Sequence, residues 1–380
     1  MRRALTLGAA LLALALLLPA TAGARDRWNT RVLALVPKPG YPAMAYVAPN
    51  NRIYEGTYDN PTGDSMASRV LEYDGDGTLL RSWTITGQNL SAAHGVQVGT
   101  SDGSGRLVLL DKSPPRVLLL DPKTGEQSTW ATFPDGSIPN YAAWGPDGSL
   151  YITDYGKPIV WRIEPGASTP KQWVTDPLLD GGQFGTTGIA LAGDRHTLIV
   201  GQQSEAGGNG GNPATGRLFK VAIGADGKAG PLQQLWESQP VDGPDGFAIA
   251  KSGNIYVAAL AANQLVEVGP DGVEKERFPA GPGGANGSPV PFDTPSSVRF
   301  LGTRLIVANQ SYFTGTAANQ AILDVESGEE GLPELVPPPP VGSTQPVSGK
   351  QNKAPKAKKP KHKRKHRKSK KRKHRRARHA

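Results

Sequence analysis

The residues best suited to chemistry are side chains that recur at regular positions, each shortly before an apolar segment. The six positions are Ala43, His94, Asn140, Thr187, Asp245 and Ser296. Carboxylate, amide and hydroxyl oxygens with one imidazole suit a hard cation such as Ca²⁺, or a polar ligand. A cation held there would also polarise a substrate carbonyl.

Each of the main candidates also has a structural interpretation. Asp245 lies in a Pro-Asp-Gly sequence, which is the common turn of this chain, although a separate turn follows at Ser252. Asn140 is a good turn residue. A histidine at His94 can simply hydrogen-bond its neighbours. Thr187 is either a spacer or a secondary ligand.

The elements that must position these residues form an internal repeat. Short apolar segments begin at Ile53, Leu107, Leu150, Leu198, Ile255 and Leu305, at spacings of 54, 43, 48, 57 and 50 residues. Each is followed by a second apolar segment that ends at a glycine turn, as in VLEYDG at 70–75. Six units of this length predict an all-β, six-bladed β-propeller.

A propeller places the first strand of each blade beside the central channel, so the six positions would surround one mouth of that channel. Residues 31–35 are predicted to close the ring as an extra strand in the last blade, because closure leaves no long exposed sheet edge. The composition agrees, since 47 Gly and 34 Pro among 380 residues disfavour long helices. The absence of cysteine excludes disulfides, thiolate metal sites and a cysteine nucleophile.

Blade five resembles the senescence marker protein/gluconolactonase family. Residues 244–249 read PDGFAI, residues 253–258 read GNIYVA and residues 264–272 read QLVEVGPDG. The resemblance implies a lactone hydrolase with a divalent cation in the channel, held by a Glu in blade one, an Asn in blade four and an Asp in blade five. An Asn in blade three would contact the substrate.

On this resemblance, Asp245 matches the metal-binding Asp and Asn140 matches the substrate-binding Asn, which could also reach the cation. Ala43 stands at the Glu position and Thr187 at the Asn position, where Thr187 remains a possible ligand. One carboxylate fewer predicts weak binding of Ca²⁺ or another divalent cation, because affinity follows the ligand charge.

A second resemblance concerns the blade-two sequence His94-Gly95, which is similar to the paraoxonases. These six-bladed lactonases use that histidine as a general base beside Ca²⁺, so His94 is the predicted catalytic residue. Strictosidine synthase-like propellers are more distant relatives, and their catalytic Glu would fall at Ser296.

The two ends of the chain differ from the repeat. Residues 1–24 predict an export signal, with Arg2 and Arg3 before an apolar run at 4–18 and the small-residue pattern AGA at 22–24. An uncleaved anchor is the alternative. The propeller is predicted over 28–336 and a Pro-rich linker over 337–349.

Residues 350–380 hold 18 Lys or Arg and no acidic residue, whereas 25–349 hold 23 basic and 33 acidic residues. A segment so poor in apolar residues predicts a disordered tail. Without aromatic residues it disfavours sequence-specific nucleic-acid recognition. Anionic cell-envelope polymers or lipid head groups are the expected partners, and a purely solubilising tail is the alternative.

The sequence therefore predicts an exported, monomeric propeller, secreted or associated with the cell envelope. As an enzyme it would be a metal-assisted lactone or ester hydrolase, which His94 favours. The alternative is a non-catalytic propeller that binds a small molecule, glycan or protein, which Ala43 favours.

Overall fold

The structure is a computed structural model that describes residues 25–58, 65–182, 184–205 and 214–338. The predicted export signal, most of the Pro-rich linker and the whole basic tail lie outside the described residues. No helix among the residues described is long and apolar enough to cross a membrane.

Six antiparallel sheets of four strands each confirm the predicted six-bladed β-propeller. The first strand of the chain is β1 (Thr30–Leu35). Blade one comprises β2 (Pro42–Val47), β3 (Ile53–Thr57), β4 (Arg69–Tyr73) and β5 (Leu79–Thr84). Blade two comprises β6 (Val96–Ser101), β7 (Leu107–Lys112), β8 (Pro115–Leu120) and β9 (Gln127–Thr132). Blade three comprises β10 (Pro139–Trp144), β11 (Leu150–Asp154), β12 (Ile159–Ile163) and β13 (Lys171–Thr175).

The remaining blades repeat this plan. Blade four comprises β14 (Thr186–Leu191), β15 (Thr197–Gln202), β16 (Arg217–Ala222) and β17 (Gln233–Glu237). Blade five comprises β18 (Pro244–Ile249), β19 (Ile255–Ala259), β20 (Gln264–Val268) and β21 (Glu274–Phe278). Blade six comprises β22 (Pro295–Leu301), β23 (Arg304–Asn309), β24 (Ala321–Glu326) and β1. Two short 3₁₀ turns lie at Pro177–Leu179 and Ala317–Asn319.

The ring closes where β1 pairs with β24, with Thr30 opposite Val325. This confirms the closing strand predicted at residues 31–35. Because β1 precedes blade one and pairs within blade six, this pairing holds the first and last blades together. It also covers a strand edge that would otherwise be exposed.

The apolar segments of the repeat are the second and third strands of the blades, and they are buried because each sheet packs against the next. Val70 in the third strand of blade one, for example, belongs to one apolar cluster with Leu109 of blade two. The outer strand β5 is largely exposed. The predicted glycine turns are present, with Gly148 and Gly253 at positive φ (79° and 91°), where glycine is favoured.

The chain does not stop at the last strand. Residues 329–338, here called the C-terminal strap, run across one end of the ring. The amide of Gly331 donates to the carbonyl of Gly302 at 3.0 Å, and the amide of Leu332 donates to the carbonyl of Ile249 at 2.8 Å. The strap therefore contacts blades six and five.

Candidate functional site

The inner strands β2, β6, β10, β14, β18 and β22 all run in the same direction along the channel, which defines two mouths. We call the mouth near their first residues the upper mouth. The second residues of these six strands are Ala43, Gln97, Asn140, Thr187, Asp245 and Ser296. Five of the six positions predicted from the sequence therefore occupy equivalent places in the ring.

The upper mouth contains a cavity of ≈ 240 Å³, here called the upper cavity. Its polar lining includes Gln97, Asn140, Gln203, Asp245, Ser296 and Gln310. Its aromatic lining consists of Tyr58, Tyr155, Phe184, Tyr312 and Phe313. Aromatic walls with a few convergent polar groups are typical of small-molecule sites.

Asp245 is the carboxyl group of this cavity. The residue is half-buried, and it lines the upper cavity. Burial raises the pKa of Asp245 to about 8, although its interaction with the Tyr141 hydroxyl opposes the rise. Asp245 is therefore mostly a neutral acid at pH 7 and can donate a hydrogen bond.

Tyr141 is the buried neighbour of Asp245. It belongs to β10 in blade three, is fully buried, and its hydroxyl donates to the carbonyl oxygen of Ser296 in blade six at 2.8 Å. A Cβ atom at Gly246 would lie only 2.5 Å from that hydroxyl oxygen. Glycine after Asp245 therefore allows the tyrosine to cross the channel.

Tyr155 connects the aromatic wall to the polar groups. Its hydroxyl donates a short hydrogen bond to the side-chain oxygen of Gln203. Burial, and then the negative charge of Asp245, raise the pKa of Tyr155 far above its ordinary value. The phenol is therefore neutral across the physiological range.

Asn140 lies where the sequence predicts it, on the cavity wall. It is 7% exposed, and its amide nitrogen is 3.5 Å from the carbonyl oxygen of Thr186, a long hydrogen bond. Asn140 and Asp245 thus share one cavity, and the amide retains hydrogen-bonding capacity for a ligand.

His94 lies elsewhere. It precedes β6 and is not among the residues that line the upper cavity. Its Nδ1 is 2.9 Å from the carbonyl oxygen of Ala92, and its Nε2 is 2.8 Å from that of Met66. Carbonyl oxygens only accept, so both ring nitrogens face acceptors and the arrangement is that of a structural histidine. Gln97 takes the ring position that the sequence analysis gave to His94.

Thr187 also turns away from the cavity. It is fully buried, and its hydroxyl donates to the carbonyl oxygen of Pro244 at 3.3 Å. Ala43, at the position of the family's Glu, lines the cavity without offering an oxygen from its side chain.

The positions of these side chains determine how well the upper cavity can bind a cation. Among its described lining residues the upper cavity offers one carboxyl group, which is mostly neutral at pH 7, and Lys112 lines the same cavity. No group of three or more His, Cys, Asp or Glu residues that could hold a metal occurs in the described part of the chain. Ca²⁺ takes six to eight oxygen ligands and is bound more tightly as carboxylates are added, so the described lining predicts a weak site for it.

A second ring of lining residues was missed by sequence reasoning. The residue five positions after each repeat marker lines the upper cavity in every blade: Tyr58, Lys112, Tyr155, Gln203, Leu260 and Gln310. These residues end the second strand or directly follow it, beside the first residues of the inner strands. Their constant spacing of five residues from the repeat markers is the sequence signal from which they could have been predicted.

Comparisons with known proteins show the fold. No family model matches this sequence, and no curated protein matches it. A protein assigned by family to the gluconolactonases superposes with a TM-score of 0.56 at 18% identity, over 80% of this chain and 94% of its own. The calcium-binding protein regucalcin of Agrobacterium tumefaciens gives a TM-score of 0.55 at 14% identity, over 80% and 98%.

The PQQ-bound aldose sugar dehydrogenase of Streptomyces coelicolor also gives 0.55 at 14% identity, over 78% of this chain and 98% of its own. The predicted resemblance to gluconolactonase-like six-bladed propellers is therefore confirmed at the level of the fold. Because these names describe different activities, the fold does not by itself decide the function.

Proposed function

We propose that the upper cavity binds a small hydroxylated molecule, such as a monosaccharide or a sugar lactone, and that the protein is a binding propeller. The observation that carries this proposal is Asp245, with a pKa of about 8, at the centre of an aromatic and amide-lined cavity.

The shape and chemistry of the cavity support this ligand class. Its ≈ 240 Å³ suit a molecule of one sugar ring rather than a polymer. Tyrosine and phenylalanine rings offer flat apolar faces for the C–H side of a sugar. Asn140, Gln97 and Gln310 can each donate and accept hydrogen bonds from hydroxyl groups.

Asp245 adds selectivity to such a site. As a neutral acid it donates to a ligand oxygen, and a buried donor left without a partner costs about 1 to 3 kcal/mol. A ligand with an acceptor at that point is therefore favoured over one that presents an apolar group.

A calorimetric titration at pH 6.5 with monosaccharides, sugar lactones and sugar acids tests the proposal. At least one should bind, and Asp245→Ala should lower its affinity by about ten-fold or more. Asp226→Ala, on an exposed turn of blade four, is the matched control and should bind like the wild type. Failure of the whole panel to bind, or equal binding by Asp245→Ala, would contradict it.

Hydrolysis of a lactone or ester is the second candidate, and the pKa of Asp245 is the observation that favours it. A base titrating near the working pH is effective in proton transfer. The Asp245 carboxylate would take a proton from water as the water oxygen bonds to the carbonyl carbon. The ring C–O bond would then break, and the leaving oxygen would take a proton to give the hydroxy acid.

The two candidates differ in their dependence on pH. Ligand binding to the neutral acid should weaken as pH rises through about 8, whereas hydrolysis by the carboxylate should accelerate through the same range. Lactone turnover measured from pH 6 to 9.5, without added metal, separates them. The metal-assisted form with Thr187 as a ligand and His94 as base has less support, because both side chains are directed to backbone carbonyls.

The basic segment supports a separate proposal on partners and location. The 18 Lys and Arg of residues 350–380 would bind an anionic polymer or lipid surface of the cell envelope once the chain is exported.

A further inference from the structure

The lower mouth of the channel contains a second and larger cavity, of ≈ 480 Å³, here called the lower cavity. It is lined by residues at the far ends of the six inner strands: Val47, Thr100, Trp144, Leu191, Ile249 and Leu301. Most of these side chains are apolar. The volume and the apolar walls are those of a ligand site for a hydrophobic molecule.

Arg299 is the buried charged group in this wall. Its side chain is 5% exposed, and its Nη1 donates to the carbonyl oxygens of Phe247 and Val298, each at 2.9 Å. The guanidinium carbon also lies 5.8 Å from the centre of the Tyr141 ring. The guanidinium is therefore held in one place, and a buried cation of this kind requires an anion.

The anion comes from the C-terminal strap. Glu334 Oε1 lies 2.9 Å from Arg299 Nε, and the Glu334 side chain is 41% exposed. The contact is not aligned as a hydrogen bond, so Arg299 Nε has no hydrogen-bond partner among the described residues. Burial also raises the pKa of Glu334, although the charge of Arg299 acts against the rise. Arg299 is thus neutralised by a poorly matched carboxylate.

Leu335, the next residue of the strap, adds an apolar contact beside the carboxylate of Glu334. Leu335 packs against the apolar clusters on both sides of blade three. Glu334 and Leu335 together present a carboxylate and an apolar group to the lower cavity. The firm hydrogen bonds that anchor the strap in the described chain lie before them, at residues 330–333.

We propose that the lower cavity is a binding site for a hydrophobic carboxylic acid, whose carboxylate pairs with Arg299 and whose apolar chain lies against the strand ends. Glu334 occupies the place of the ligand carboxylate when the site is otherwise empty. The proposal is independent of the upper cavity and of the function proposed for it.

A free carboxylate can bind Arg299 better than Glu334 does. The Nε edge of a guanidinium offers two parallel donors to a carboxylate, which is the strongest geometry for this pair. Glu334 is limited by its backbone, whereas a free ligand can take that geometry. An amphipathic acid also replaces the apolar contact of Leu335 with its own chain.

The experiment uses the full chain, octanoate as the probe and 1-octanol as its uncharged match, with affinities measured by calorimetry. We expect octanoate to bind with one-to-one stoichiometry and Glu334→Gln to raise its affinity by about ten-fold, because the competing carboxylate is gone. Asp226→Asn, on an exposed turn of blade four outside the lower cavity, is the matched control and should leave the affinity unchanged.

Two further comparisons distinguish binding in the lower cavity from binding elsewhere on the chain. Any binding of octanoate to the basic segment 350–380 is common to all variants, so the difference between Glu334→Gln and Asp226→Asn reports on the lower cavity. Arg299→Gln in the Glu334→Gln background should abolish the gain. If that double variant does not fold, the octanol comparison decides, because only octanoate should gain affinity. Equal affinity of wild type and Glu334→Gln for octanoate, or an equal gain for octanol, would overturn the proposal.

Discussion

The hydroxyl of Tyr141 donates a 2.8 Å hydrogen bond to the carbonyl oxygen of Ser296, on the opposite side of the six-bladed ring. Tyr141 therefore crosses the channel, and its ring lies between the Asp245 side of the molecule and Arg299. Tyr141 thus lies close both to a carboxyl group of the upper cavity and to a guanidinium group of the lower cavity.

Replacing Tyr141 should change both the free energy of unfolding and the pKa of Asp245. Tyr141→Phe loses a buried hydrogen bond and leaves the Ser296 carbonyl without its donor, which should lower the free energy of unfolding by about 1 to 3 kcal/mol. It should also raise the pKa of Asp245 further, because the Tyr141 hydrogen bond lowers it. Urea unfolding and a carboxyl titration by NMR measure the two effects.

Tyr73→Phe provides the matched control. The Tyr73 hydroxyl is buried without a hydrogen-bond partner in the described chain, so its removal should cost little or stabilise the protein. An equal loss of stability in both variants would show that the hydrogen bond from Tyr141 to Ser296 adds nothing measurable to the free energy of unfolding.

Asp245 should make stability depend on pH. Its pKa is 3.8 in an ordinary setting and about 8 in the fold, so the folded protein holds a proton that the unfolded chain releases between these values. The free energy of unfolding should therefore fall as pH rises from about 4 to 8. Asp245→Asn should remove this slope and be more stable than wild type by about 2 kcal/mol or more at pH 9.

Unfolding measured at pH 4, 6 and 9 checks this prediction, with Asp226→Asn as a control that keeps the wild-type slope. If Asp245→Asn and wild type change in parallel over the whole range, Asp245 titrates as an ordinary carboxyl and the cavity is wetter than its burial implies.

The propeller could be predicted because its signal is repeated six times. Each marker, such as Ile255, is the first or second residue of the second strand of its blade. The ring-closing strand predicted at residues 31–35 is also present. β-branched residues and glycine turns act locally, so they can be read from a single chain.

The candidate site was harder to predict because it depends on contacts between distant blades. Gln97, ten residues before the marker Leu107, lines the upper cavity, whereas the sequence analysis placed His94, thirteen residues before that marker, at this ring position. No local pattern reports that Tyr141 reaches Ser296 or that Arg299 meets Glu334, which are 155 and 35 positions apart in the sequence.

His94 offers a direct test of its predicted role as a base. His94→Gln should lower the free energy of unfolding by about 1 to 3 kcal/mol, because the buried imidazole loses its two hydrogen bonds to the backbone carbonyls of Ala92 and Met66. Ligand affinity at the upper cavity should change little. A several-fold loss of lactone turnover, with stability retained and with a rate that rises through a pKa near ~6.5 in wild type, would restore His94 as the catalytic base.

Calcium should bind weakly. The described lining of the upper cavity has one carboxyl group, and it must lose its proton before it can hold a cation, so affinity should improve as pH rises toward 9. Calorimetry with Ca²⁺ at pH 6.5 and 9 measures this. Sub-micromolar affinity that persists in Asp245→Ala would place a calcium site somewhere other than the upper cavity.

The basic segment should act as a tether that the propeller does not need for folding. The described chain ends at Pro338, and a Cβ atom at Gly103 would lie 2.3 Å from the carbonyl oxygen of Pro337, so the strap passes directly over blade two. A chain ending at Pro338 keeps the strap and all six blades, and it should unfold at the same temperature as the full chain. Because residues 350–380 carry 18 positive charges and the segment before them has an excess of acidic residues, only the full chain should bind an anionic surface.

Expression of both chains in the native host, followed by fractionation, tests the tether. The full chain should stay with the cell envelope at low salt and come off at about 1 M salt, where exposed charges are screened over ~3 Å. The shortened chain should appear in the medium at every salt concentration. Equal release of both chains at low salt would show that the segment is no tether, and a lower unfolding temperature of the shortened chain would show that residues beyond Pro338 support the propeller.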